Sequence, residues 1–299
     1  METENQQLNV KNNRAWRGVA YIVLSAFFFA LMSLFVRYSG DLPTFQKSFF
    51  RNLVAAIVAF FALIKSGSFR MQKGSLPALL ARSIAGTVGI VGNFYAIDNM
   101  NISDASILNK LAPFFSVIFS ALLLKEKTKW SDWLLVGVAF GGALFVVKPS
   151  FDFSQSAPAL AGVLGGLGAG LAYTFVHYLG GKGERAAVIV FFFSTFSCLA
   201  VLPITIAQYQ PMTGLQTLFL LLAGLSAACA QFCVTKAYSC APAKEISVYD
   251  YSQVLFTAGL GLLFLNEYPD WWSVLGYVVI IGAAVLKFIS TNRKRKNEE

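Results

Sequence analysis

Lys110 and Asp250 stand where this sequence least accommodates charge, each inside an otherwise apolar run. A charge at the centre of a bilayer costs roughly 2.5 to 3.5 kcal/mol on insertion scales, so it faces a partner or a water-filled cavity, or reaches back to an interface. Lys110 falls about two turns into the run 105–124, and Asp250 five residues into the run 245–265. Entered from opposite sides of a membrane, these positions place the two charges towards opposite mouths of one cavity. Asp250 belongs to a polar stripe at helical spacing with Ser247, Gln253 and Thr257. Asn109, Pro113, Ser116 and Ser120 make the matching stripe around Lys110. Pro113 has no N–H to give the carbonyl of Asn109, which leaves an acceptor free beside the lysine. This is chemistry for holding a polar solute. Asp250 and Lys110 are also the candidates for coupling its movement to a proton.

Further polar residues extend the candidate lining. Arg82, Gly86, Gly89 and Asn93 share one helical face, and the glycines there read as packing. Lys47 and Arg51 lie one turn apart and suggest a basic outer vestibule. Tyr173 with His177, and Gln231 with Thr235, are polar pairs at i, i+4 spacing, and Tyr251 neighbours Asp250. His177 is the only histidine, tempting as a proton carrier, although its place near the end of a run suits an interfacial residue. Glu126 and Glu267 end their runs and suggest local caps or pairs. More than three residues from either end of the runs, three cations (Arg51, Arg82, Lys110) face one acid (Asp250), which leans the solute towards a carboxylate, a phosphate or a zwitterion.

Several chemistries are disfavoured. No metal-ligand spacing, histidine cluster or nucleophile motif supports a membrane-embedded enzyme, and no cofactor or metal is expected. There is no GxxxxGK[ST] phosphate loop, which argues against direct driving by ATP. The glycine run Gly162, Gly165, Gly166, Gly168, Gly170 lies in an apolar segment with no strand before it, so it reads as tight helix packing. Net charge is +9, but the basic residues sit at the ends of apolar runs rather than in one patch, so nucleic acid is not an expected partner, and no obligate protein partner is implied. Cys198, Cys229, Cys233 and Cys240 fall in or beside apolar segments and need no disulfide framework.

The elements that must position these residues are membrane helices. Hydrophobic residues make up 56% of the chain, charged residues only 13%, and the mean hydropathy is +0.61; a soluble protein carries about a quarter charged. Ten apolar runs are readable: 16–38, 44–64, 76–97, 105–124, 130–147, 158–180, 186–208, 214–238, 245–265 and 271–290. The first fifteen residues are polar and lack a cleavable signal pattern, so they read as a cytoplasmic tail. Residues 16–148 then form one unit, 149–157 a connection, 158–290 a second unit and 291–299 a basic tail. Placing both termini inside collects most Lys and Arg on the cytoplasmic side, from Lys11 and Arg14 to Arg293–Lys296, and leaves only Arg37, Lys47 and Lys148 outside. Short loops suit a bacterial inner (plasma) membrane.

The two units are one sequence written twice. An ungapped offset of 141 positions puts Ala96 on Ala237, Asp104 on Glu245, Glu126 on Glu267, Trp130 on Trp271 and Gly141 on Gly282. An offset of 140 matches the FVRY of Phe35–Tyr38 to the FVHY of Phe175–Tyr178. Five crossings per unit is odd, so the second copy enters from the opposite face, and the pair is inverted. Inverted repeats are a feature of secondary transporters, with the binding site at the repeat interface. The chain resembles the EamA family of the drug/metabolite transporter superfamily over essentially its whole length. The residues that carry the likeness are Phe94-Tyr95-Ala96, Pro113, Leu124-Lys125-Glu126, Gly137, Gly141, Glu267, Gly276 and Gly282, with Val254 standing where the pattern favours proline.

The resemblance implies ten helices around a central cavity and movement of small metabolites. The expectation is therefore an all-α integral membrane protein of two inverted five-helix repeats. It acts as a secondary active transporter of a small polar metabolite, an organic anion, amino acid or other zwitterion, by alternating access, proton-coupled or exchange-driven. The alternative is a lipid or sugar-lipid carrier with a laterally open cavity.

Overall fold

A computed structural model describes residues 2–65, 70–123, 130–147, 153–240 and 247–296. Among them all regular structure is helical, as lipid demands of a chain whose backbone groups must be satisfied internally. The first unit contains α1 (Glu2–Tyr38), α2 (Thr44–Lys65), α3 (Leu76–Asn99), α4 (Ile102–Asn109), α5 (Ala112–Leu123) and α6 (Trp130–Val147). The second contains α7 (Phe153–Gly181), α8 (Ala186–Ala207), α9 (Gly214–Cys240), a 3₁₀ turn (Ser247–Tyr251), α10 (Ser252–Leu260), a π turn (Gly261–Leu265) and α11 (Trp271–Lys296). Seven segments are long and apolar enough to span a membrane, α4 and α5 counting together as Ile102–Leu123. Two shorter apolar stretches, Trp133–Val146 and Trp271–Leu286, and the divided crossing over 247–265 make up the ten. Lys125, Glu126 and Glu245 lie outside the described residues.

Two crossings that read as continuous runs are broken. In the fourth, α4 stops at Asn109 and α5 starts at Ala112, with the chain tightening through a Leu111 N–H to Leu108 carbonyl bond of 3.1 Å. Pro113 explains the stop, because it cannot donate to Asn109. In the ninth, the 3₁₀ turn gives way to α10 between Tyr251 and Ser252, the positions that align with Lys110 and Leu111. The second break has no proline. Leu108, Leu111 and Ala112 flank the first, so hydropathy does not show it, and the second lies among Tyr249, Asp250, Ser252 and Gln253.

The repeats embrace rather than stand side by side. The most extensive contacts are α1 with α9, α3 with α7, α2 with α8 and α6 with α11, each joining one unit to the other. Exchanging the units maps these pairs onto themselves or one another, as a pseudo-two-fold requires. Glycines set the closest of these approaches. A Cβ on Gly168 would stand 2.6 Å from the Ala85 carbonyl oxygen of α3, and one on Gly170 would stand 2.6 Å from that of Ala112 at the start of α5. The glycine run of α7 is therefore a backbone-to-backbone seam on α3 and on the broken fourth crossing.

Candidate substrate cavity

The cavity lies where the breaks meet, with about 660 Å³ of space between its walls, its open mouth included. The enclosed space itself is about 80 Å³, smaller than a drug-sized pocket. From the first unit it is lined by Phe29 and Met32 of α1, Arg51 of α2, the Arg82–Asn93 face of α3, and Asn109 and Lys110 at the break. From the second unit come Ala169 and Tyr173 of α7, Phe193 of α8, Gln231 of α9 and Gln253 of α10. Glycines 86 and 89 also reach the wall, and Gly86 leaves the space that Phe193 and Arg82 fill: a Cβ there would meet them at 2.7 and 2.9 Å.

Lys110 and Asp250 are not at opposite mouths. They form an ion pair at 2.6 Å, with side chains 7% and 15% exposed. The breaks turn both residues inward at the same depth, and residues near a pseudo-two-fold axis meet their counterparts. Tyr251 repeats the contact through the backbone, its hydroxyl donating to the Lys110 carbonyl at 3.0 Å. Tyr251 is thus buried behind the wall rather than lining it.

The remaining candidates divide. Arg51, Arg82, Asn93, Asn109, Tyr173, Gln231 and Gln253 come together in the wall with Lys110. His177 is exposed and does not line the cavity. Thr235 is on α9, and its side chain lies outside the described residues. The basic vestibule pictured from Lys47 and Arg51 is not found. Lys47 is bound to Asp98 at 2.6 Å, and Arg51 points into the cavity instead. The apolar wall residues Phe29, Met32 and Phe193 were not foreseen. They carry no polar signal, and of the three only Phe193 is shown against a charged group, the Arg82 guanidinium.

Arg51 and Arg82 sit differently from Lys110. Arg51 donates from Nη1 to Asn52 Oδ1 at 2.6 Å, and Asn52 is held in turn by the Ser48 carbonyl and Ser197 Oγ, each at 2.9 Å. The Arg82 guanidinium stacks 3.6 Å from the centre of the Phe193 ring. No acidic residue is among the cavity-lining side chains described.

Asp98, Asp104 and Glu267 gather at one end of the bundle. Asp104 is buried in α4 and accepts from the Tyr277 hydroxyl of α11 at 2.6 Å. Glu267 also does more than cap its own span. It pairs with Arg37 at 2.9 Å and accepts the Ile102 N–H at 2.7 Å, tying the second unit to the first. Arg37 reaches the carbonyls of Asp98 and Met100 as well, and Tyr38 donates to that of Phe264 at 3.0 Å. At this end the units are tied by contacts from Arg37, Tyr38 and Ile102 to the second unit.

An all-helical bundle of two interlocked repeats, broken in register around a polar cavity, defines a membrane carrier for small solutes. Comparison with known proteins gives the family. A model of the EamA-like transporter family matches residues 16–148 and again 157–289, and the chain belongs to that family. It is 33% identical over 270 residues to the pseudopaline exporter CntI of Pseudomonas aeruginosa, covering 90% of this chain and 94% of that one. It is 27% identical over 295 residues to human solute carrier family 35 member G1 (92% and 81% covered). With the S-adenosylmethionine uptake transporter of Rickettsia prowazekii it shares 21% identity over 286 residues (94% and 95% covered). A solved crystal structure superposes with a TM-score of 0.66 at 15% identity, covering 94% of this chain and 99% of that one, a likeness of fold. The protein is a multi-pass membrane transporter, not an enzyme.

Proposed function

We propose that the chain moves a small anionic or zwitterionic metabolite across a bacterial inner membrane by alternating access at this cavity. The observation that carries the proposal is the Lys110–Asp250 pair, which bridges the two units at their matched breaks, with Lys110 in the cavity wall. A contact of this kind lets the state of the site govern how the halves sit. Protonating Asp250, or drawing Lys110 onto a substrate anion, removes the attraction and frees one unit to rock against the other. A proton gradient coupled through Asp250 or Lys110 is the main expectation, with exchange of two metabolites behind it. The freed backbone at 109–111 lines a cavity rather than lipid, where irregular helix is tolerated in transporters.

The distribution of Lys and Arg supports cytoplasmic termini, which makes the end tied by Arg37 and Glu267 the outer one. Relatives named as an exporter and as an uptake transporter share this frame, so it serves either direction. The test is flux into proteoliposomes loaded with candidate organic acids and amino acids, with and without a pH gradient. Saturable uptake that responds to the gradient is expected. Flux of every solute at the rate of empty vesicles overturns the proposal.

A further inference from the structure

Arg51 and Arg82 are 2% and 5% exposed, and neither has an ion pair among the described residues. Nε of Arg51, and both Nε and Nη1 of Arg82, are buried without a hydrogen-bond partner there. Arginine does not relieve such burial by giving up its proton. What holds these guanidiniums is neutral. Asn52, fixed by Ser48 and Ser197, orients Arg51, and the Phe193 ring supports Arg82. Both are aimed and neither is neutralised, and both reach the same cavity.

We infer that Arg51 and Arg82 together form a subsite for a small dianion, carrying two carboxylates or one doubly ionised phosphate. The inference rests on the cavity being the transport path and narrows the substrate class within it. Two fixed positive charges call for two negative ones, and the planar guanidinium fork suits carboxylate and phosphate oxygens alike. A plain amino acid fits less well. Its ammonium would need an acid, and no acidic side chain is among the cavity-lining residues described; Asp250, behind Lys110, is taken by it at 2.6 Å. Asn93, Tyr173 and Gln231 supply neutral polar groups around the pair, where they orient a ligand without changing its charge count.

The experiment is ligand-dependent thermal shift on the purified full chain, titrated with succinate, inorganic phosphate, lactate and alanine, followed by proteoliposome flux of the same four solutes. Succinate or phosphate is expected to raise Tm saturably, with half-effect about ten-fold or more below that of lactate or alanine, as befits one further charge-assisted contact. The succinate and phosphate arms separate the two dianion chemistries. Arg82→Gln removes an unbalanced buried charge, so the variant should keep the ligand-free Tm of wild type or exceed it, while losing the preference for the dianion. Arg82→Lys should recover part of it.

Equal half-effects for alanine or lactate and the dianions in wild type overturn the inference, as does an Arg82→Gln variant with undiminished dianion preference. If dianions bind in the Arg82-dependent way but no solute crosses the vesicle membrane, the transport reading falls and this subsite stands. If alanine or lactate is carried while dianions are neither bound nor moved, the reverse holds.

Discussion

Removing either partner of the Lys110–Asp250 pair should destabilise the protein more than removing both. The two side chains are 7% and 15% exposed and 2.6 Å apart, so the contact is close and largely desolvated. Breaking a buried pair by deleting one partner costs about 3–5 kcal/mol, chiefly because the other charge is left alone. The residual exposure of Asp250 favours the lower figure, so about 3 kcal/mol is expected for Lys110→Met or Asp250→Asn. For a chain of this size that is a fall in Tm of about 6 °C. The double variant leaves no orphaned charge, so it should recover most of that fall; with about 1 kcal/mol of loss remaining, the cycle gives a coupling of about 5 kcal/mol. Thermal unfolding of the four proteins in one detergent reads the stability arm, and proteoliposome flux reads the other. All three variants should lose flux, including the double, whose stability is restored. Strictly additive Tm losses would refute the pairing, and wild-type flux in both single variants would remove the pair from the mechanism.

Other perturbations test the frame. Gly168→Ala places a methyl 2.6 Å from the Ala85 carbonyl oxygen, so α3 and α7 must separate, and overpacking of this kind should lower stability by about 1–3 kcal/mol, read as Tm. Pro113→Ala restores an N–H one turn beyond Asn109 and should straighten the fourth crossing; flux should drop while Tm holds or rises, and unchanged flux would show the break to be dispensable. Glu267→Gln removes the charge facing Arg37 and weakens acceptance from Ile102 at the tied end. A cysteine placed at Asn93 should then react faster with a small membrane-impermeant maleimide added from that side, and an unaltered rate would show that the pair does not hold this end shut.

The parts of this molecule that repeat were legible in its letters. The offset linking Ala96 to Ala237 and Trp130 to Trp271 carries the two-unit architecture because sequence similarity needs no coordinates. Spans were readable because a bilayer imposes a length and a polarity. The cavity wall was legible in its polar members, Arg82, Asn93, Lys110 and Gln253, since lipid taxes each of them. It was silent in Phe29 and Phe193, whose role depends on what stands opposite. The meeting of Lys110 with Asp250 was misjudged for a specific reason. Depth along a continuous helix separates the two residues, whereas the breaks bring them to one axis, and no single residue type marks both: the first has Pro113 and the second has no proline. Asp104 and Glu267 were no easier to read, because a residue near a span end is ambiguous until its partner from the other unit is known.

The embrace of the two units bears on how the protein is made. α1 finds its main neighbour in α9, α2 in α8 and α6 in α11, so each early helix waits in the bilayer until the second unit has been synthesised. During that interval Arg51 and Arg82 belong to helices whose cavity does not yet exist. A ribosome halted between the units should therefore leave a fragment that quality-control proteases clear, whereas the two pieces expressed together from separate messages should find each other and survive.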